Sequence, residues 1–103
     1  MSPRQRHNRI VPRLLDVMSA LESADPRATI YVATPVAPHS EATVCVEPVE
    51  SADPARLTYL LEVSLAREVL HVWTSWRNGR QPTPEEATRA VIYYAQHDVY
   101  EPV

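Results

Sequence analysis

Four histidines are the residues of this chain best suited to acid–base or metal chemistry: His7, His39, His71 and His97. A zinc site on a helix needs two histidines at i and i+4, or cysteines close by, because the ligands must converge on one ion. No two of these histidines have that spacing, and no cysteine lies near any of them. The pattern predicts neither a metal ion nor a cofactor. For His71, beside Trp73, it predicts a partly buried structural role.

The residues that could act in covalent or acid–base catalysis each have a simpler explanation. Cys45 lies in the apolar run Thr43–Val46, which is typical of a buried and inert thiol. Glu85 and Glu86 are adjacent carboxylates, but a first helical turn explains both through capping and the helix dipole. No serine has a G-x-S-x-G setting. The sequence therefore predicts a protein that is not an enzyme, and a small hydrolase is the weaker hypothesis.

Aromatic residues are candidates for contact with a partner, because tryptophan and tyrosine dominate the energetics of protein interfaces. The chain has no phenylalanine, so some of these side chains must fill the core instead. We expect Trp73 and Tyr94 in the core, and we expect Trp76 and Tyr93 to contribute to a surface patch.

Charge is unevenly distributed along the chain, whose net charge is −3. Basic residues dominate the N-terminus: Arg4, Arg6, Arg9 and Arg13. Acidic residues dominate the region from 41 to 62, offset only by Arg56: Glu41, Glu47, Glu50, Asp53 and Glu62. A solvated polar face explains the acidic set. The sharper hypothesis is a docking surface for a basic protein, because complementary charge raises association rate and selectivity.

The basic N-terminus supports an alternative from another class, a small regulator that binds nucleic-acid phosphates through this arm. The arm is short and has no interleaved aromatic residues, and the rest of the chain is acidic. Nucleic-acid binding is therefore the alternative, and a solvated tail is the default interpretation.

Length and composition limit the architecture. A chain of 103 residues with 45% hydrophobic side chains can build one modest core. A single cysteine excludes an internal disulfide and fits a reducing compartment, and no apolar run approaches the roughly 20 residues of a membrane span. We expect a flexible basic arm at 1–10, a single domain at 11–103 and a cytoplasmic location.

Three helices are predicted, at about 11–23, 65–78 and 84–97. Pro12 suits the first turn of the first helix. Gly79, the only glycine, is placed to close the second helix in a left-handed conformation. Thr83 and Glu86 form a capping box with Pro84 at the first position of the third helix.

Three strands are predicted, at about 28–34, 42–48 and 57–63, and the first two should pair as an antiparallel hairpin. The third has an alternative, a backward extension of the second helix to Pro54. Alternation of Leu57, Tyr59 and Leu61 with polar residues favours the strand, although Leu60 interrupts it. Ser64 would then be the N-cap. The predicted fold is α+β, with three helices covering a three-stranded antiparallel sheet in the order α-β-β-β-α-α.

Three segments of the chain carry a resemblance to a known group: Thr29–Val32, Thr43–Val46 and Tyr93–Tyr100. They resemble small bacterial proteins associated with immunity proteins of contact-dependent growth inhibition and other polymorphic toxin systems. The chain departs from that pattern at His97, where the group has asparagine, and at Val99–Tyr100. The resemblance implies a protein that binds a cognate nuclease toxin domain through an acidic, nucleic-acid-like sheet face. It implies no catalytic residues.

Overall fold

The computed structural model describes residues 12–46 and 57–103, so the expected arm at 1–10 lies outside the described residues. The helical elements are α1 (Leu14–Ser19), a 3₁₀ turn (Leu21–Ser23), α2 (Val63–Ser75) and α3 (Pro84–His97). The strands are β1 (Thr29–Ala33), β2 (Ala42–Cys45) and β3 (Leu57–Glu62). The predicted α+β class and the order α-β-β-β-α-α are confirmed.

The three strands form one antiparallel sheet in the order β2-β1-β3. Ile30, the second residue of β1, pairs with Val44 on one side and Leu61 on the other. The predicted hairpin of the first two strands is confirmed. The interpretation of 57–63 as a strand is also confirmed, against the alternative of a longer helix.

A β-bulge in β3 explains why Leu60 interrupts the sequence alternation. Ile30 pairs with Leu61, but the next residue of β1, Tyr31, pairs with Tyr59, so Leu60 is an extra residue in β3. Leu60 and Leu61 are both buried. Their alternation with polar residues predicted that Tyr59 and Leu61 share one face of the sheet. Because of the bulge, they lie on opposite faces.

The core lies between one face of the sheet and the helices. Ile30 and Val32 of β1 are fully buried, and α2 and α3 both contact β3. Each helix contributes buried side chains on one face, as the helical spacing predicts. Trp73 is 3% exposed, so its predicted place in the core is confirmed, whereas Tyr94 is half-buried and packs against the core.

The first helix is shorter than the predicted 11–23, and Pro12 is not in its first turn. Its N-cap is Arg13, whose backbone N–H donates to the Asp16 carboxylate at 3.0 Å. Asp16 thus satisfies a free amide at the start of the helix, and the hydrogen bonds from Arg13 lower the pKa of Asp16. After Ser19 the chain tightens into the 3₁₀ turn before it enters the sheet.

The second helix begins at Val63 with Glu62 as its N-cap, so the prediction of Ser64 as N-cap is wrong. The N–H of Val63 donates to the carbonyl of Ala28 at 2.9 Å. Because this contact with another part of the chain satisfies the Val63 amide, β3 continues into α2 without a side-chain cap. The helix ends at Ser75. Gly79 is left-handed as predicted (φ 86°), and its N–H closes the turn on the Thr74 carbonyl at 2.9 Å.

The third helix has the predicted capping box. The N–H of Glu86 donates to Thr83 Oγ1 at 3.1 Å, and the N–H of Thr83 donates to Glu86 Oε1 at 3.0 Å. Pro84 occupies the first turn. At the other end Asp98 is left-handed and ends the helix, and the C-terminal tail follows.

Candidate binding surfaces

Three of the predicted partner-binding residues, Glu47, Glu50 and Asp53, lie outside the described residues. The other two acidic residues are at opposite ends of the sheet. The carbonyl of Glu41 accepts from the N–H of Ala33, at the end of β1, whereas Glu62 pairs with Thr29, at its start. Four residues along a strand span about 13 Å. The structure therefore does not bring Glu41 and Glu62 together.

The two aromatic candidates are separate from the acidic ones. Trp76 follows the end of α2, and Glu62 immediately precedes its start, so the length of this 13-residue helix lies between them, about 20 Å. Tyr93 is half-buried on α3, where its ring contacts that of His97 with the centroids 4.3 Å apart. The predicted residues do not form one patch.

Trp76 belongs to a group of contacts that we call the tail cluster: Trp76, Tyr94, Tyr100, Arg77 and Arg89. Tyr100 lies edge-on to Trp76 with the ring centroids 5.8 Å apart, and it contacts Tyr94 at 5.2 Å. Arg77 donates to the Pro102 carbonyl at 3.1 Å, and Arg89 donates to Glu101 at 3.0 Å. These contacts hold the C-terminal tail against α2 and α3.

The sheet surface opposite the core carries side chains that are half-buried or exposed. We call it the open sheet face: Tyr31, Thr43, Cys45, Tyr59 and Glu62. Tyr31 pairs with Thr43 on β2 and with Tyr59 on β3, so the three side chains form a row across the sheet. Cys45, predicted to be buried, is half-buried on this face.

Tyr59 and Glu62 form the most exposed part of the open sheet face. The Tyr59 side chain is 52% exposed, and its hydroxyl donates to Glu62 Oε2 at 3.5 Å. Partial burial and the adjacent Glu62 charge raise the pKa of Tyr59. In a regular strand, residues three apart lie on opposite faces. The bulge at Leu60 therefore brings this tyrosine and this carboxylate to the same face.

A groove of about 470 Å³ separates α1 and the 3₁₀ turn from α2 and the start of α3. Its lining is both apolar and polar: Met18, Ser19, Leu21, Glu22, Leu70, His71, Thr74, Gln81, Pro82, Pro84 and Ala87. Sequence reasoning missed this groove, because its walls come from helical segments that are distant in the chain. His71, predicted to be partly buried, is exposed here.

Arg67 of α2 fixes one wall of the groove. Its guanidinium donates to three main-chain carbonyls in or just after the 3₁₀ turn: those of Leu21 at 3.2 Å, Glu22 at 2.6 Å and Ala24 at 2.7 Å. Because Arg67 and Leu70 lie on the same helix, these bonds fix the 3₁₀ turn relative to that part of the groove.

The loop before α3 forms the other wall and is also fixed by polar contacts. Arg80 binds both carboxylate oxygens of Glu86, at 3.1 and 3.2 Å, and Glu86 caps the helix at Thr83. Hydrogen bonds from Arg80, which have the largest effect, and from the Thr83 amide lower the pKa of Glu86 to about 2. Both walls are therefore held in place by polar contacts within the chain.

The described side chains form no group of three or more histidines, cysteines or carboxylates that could hold a metal ion. Within residues 12–46 and 57–103, no helix combines the length and the apolar character needed to cross a membrane. No protein-family model matches the chain, and neither does any curated protein or any solved structure.

Proposed function

We propose that this chain is a non-enzymatic protein-binding module, and specifically an immunity protein that binds and neutralises a cognate nuclease toxin domain. The observation that carries the proposal is the pairing of an exposed aromatic side chain, Tyr59, with the carboxylate of Glu62 on the open sheet face.

These two side chains have the chemistry of an interface with a basic protein. Tyrosine offers a large, rigid contact area with a polar end, and such residues contribute most of the binding energy in many interfaces. Carboxylates complement the basic surface on which a nuclease binds phosphates. The resemblance to immunity proteins supports the same partner, and two of the resembling segments, Thr29–Val32 and Thr43–Val46, lie in or overlap β1 and β2.

The direct test is inhibition of the toxin domain that the proposal expects in the reading frame next to the gene for this chain. The purified domain is assayed for DNA and RNA cleavage with and without an equimolar amount of the chain. We expect cleavage to stop at equimolar ratio, and we expect the complex to weaken as salt rises. Cleavage that is unchanged by excess chain would contradict the proposal, as would a neighbouring frame that encodes no toxin.

Two variants separate the proposed mechanism from its rival. Reversing the charge of Glu47, Glu50 and Glu62 together should weaken inhibition strongly, because it replaces attraction by repulsion. If binding survived this change, the proposal that the acidic face imitates nucleic acid would be wrong, although the partner could still be a toxin. Deleting residues 1–10 should leave inhibition intact, whereas a nucleic-acid-binding regulator that uses the basic arm would lose its activity.

A further inference from the structure

We infer that the groove between α1, the 3₁₀ turn, α2 and the start of α3 is a second binding surface. Its occupant is a partner-protein segment that presents an apolar side chain next to a lysine or arginine. The inference rests on the proposed protein-binding role, but not on the partner's being a nuclease.

The floor of the groove is apolar, which calls for an apolar group in the occupant. Met18, Leu21 and Ala87 line it as buried members of the core, and Leu70 is half-buried beside them. The volume of about 470 Å³ is within the range of about 300–1,000 Å³ that small-molecule sites commonly have, so the groove is large enough to receive a side chain of the occupant. A methionine in the floor adapts easily to the shape of an inserted side chain.

The rim of the groove selects a positive charge. Among the described residues that line it, Glu22 is the only one with a carboxylate. Arg67 binds the main-chain carbonyl of Glu22 and not its side chain, and the Glu22 carboxylate has no ion-pair partner among residues 12–46 and 57–103. Ser19, Thr74 and Gln81 add neutral polar groups. A cation beside Glu22 gains an ion pair, whereas an acidic side chain would meet repulsion.

The groove is also built in advance, which favours binding of a short segment. Arg67 holds the 3₁₀ turn, and the contacts of Arg80 and Thr83 with Glu86 hold the loop before α3. A site whose walls are already ordered loses less conformational entropy when it is filled. Arg67 is thus a positioning residue for this surface.

The test uses three synthetic peptides of equal length as probes, in which leucine alternates with lysine, leucine with glutamate, and serine with lysine. Binding is followed by the amide NMR shifts of the full-length chain. We expect saturable shifts centred on Leu21, Leu70 and Thr74 with the leucine–lysine peptide alone. Glu22→Gln should weaken this binding about twofold to fivefold, as expected for an exposed ion pair. Leu70→Lys should abolish it.

Asp98→Asn is the matched control, because it removes the same charge from the left-handed residue that ends α3, at the opposite end of this helix from the groove. Equal weakening by Glu22→Gln and Asp98→Asn, or shifts that spread over the surface and never saturate, would overturn the inference. The two proposals fail separately. If the chain inhibits the nuclease but does not bind the leucine–lysine peptide, only the proposal for the groove is wrong. If the chain binds this peptide in the groove but does not inhibit the nuclease, only the proposal of a toxin partner is wrong.

Discussion

Tyr59 and Trp76 are almost equally exposed, at 52% and 49%, but they lie in different surroundings. Trp76 is one member of the tail cluster. Its ring contacts that of Tyr100, and the neighbouring Arg77 binds the C-terminal tail at the Pro102 carbonyl. Tyr59 lies on the open sheet face, where its hydroxyl donates a long hydrogen bond to Glu62. The exposure of an aromatic side chain therefore does not by itself identify a binding surface.

The difference assigns separate roles to the two regions. Side chains of the tail cluster contact one another across α2, α3 and the tail, so we expect their loss to lower the free energy of unfolding. Within residues 12–46 and 57–103, the Tyr59 side chain lies beside Tyr31 on the sheet surface and its hydroxyl bonds to Glu62, so we expect its loss to reduce partner binding with little change in stability. Four predictions test this contrast, in order of decreasing effect on stability.

Tyr100→Ala should have the largest effect, about 2 kcal/mol, below the roughly 3–5 kcal/mol of a fully buried aromatic residue. It removes ring contacts with both Trp76 and Tyr94. Urea denaturation followed by tryptophan fluorescence measures the change. Tyr100→Phe is the control, because it keeps the ring and loses only a 3.4 Å hydrogen bond to Glu68. Equal stability of the alanine variant and the native chain would show that the tail does not stabilise this region.

Thr83→Ala should lower stability by about 1 kcal/mol, because it leaves the amide of Glu86 without its cap. The loop that ends at this cap begins beside Trp76. The expected loss of stability therefore concerns the helical region and not the open sheet face. Thermal denaturation measures it, and Thr83→Ser should retain most of the stability. A loss as large with serine as with alanine would point to the Thr83 methyl group instead of the hydrogen bond.

Acidification should destabilise the same loop through Glu86. Its folded-state pKa is lowered from 4.5 to about 2 by Arg80 and the Thr83 amide. The unfolded state therefore takes up the proton first, so this contribution is complete above about pH 4.5 and is lost as the pH falls towards 2. Denaturation midpoints between pH 6 and 2 should fall less in Glu86→Gln than in the native chain. Identical pH profiles would contradict the assignment.

Tyr59→Thr should change stability by no more than about 0.5 kcal/mol, because threonine, like tyrosine, has a high propensity for strands and the position is half-exposed. Equilibrium denaturation checks this, with Leu61→Ala as a comparison on the same strand, where a loss of about 2–5 kcal/mol is expected for a buried leucine. A large loss from Tyr59→Thr would place Tyr59 in the structural framework and not in a binding surface.

The elements that sequence predicted best are those specified by neighbouring residues. The start of α3 was predicted because Thr83, Pro84 and Glu86 satisfy one another within a single turn. The start of α2 was missed because the partner of the Val63 amide is the carbonyl of Ala28, which is remote in sequence. The capping box of α3 could therefore be read from sequence, whereas the tertiary contact that starts α2 could not.

The candidate surfaces were harder to predict for the same reason. Leu60 visibly broke the alternation, but only the pairing with β1 shows that the bulge brings Tyr59 and Glu62 to one face. Glu41 and Glu62 were predicted to belong to one acidic surface, and the sheet places them at opposite ends. The groove arises only when α1, α2 and α3 pack, so no local pattern marks it.

Calorimetric titration of the toxin domain with Tyr59→Thr and Trp76→Ala tests the central claim most directly. The account predicts that the first variant weakens binding by about 30-fold, the effect of a 2 kcal/mol interface residue. Trp76→Ala should stay within about threefold of the native chain, since the tail cluster is occupied by this chain itself. Strong weakening by Trp76→Ala, together with unchanged binding by Tyr59→Thr, would contradict it.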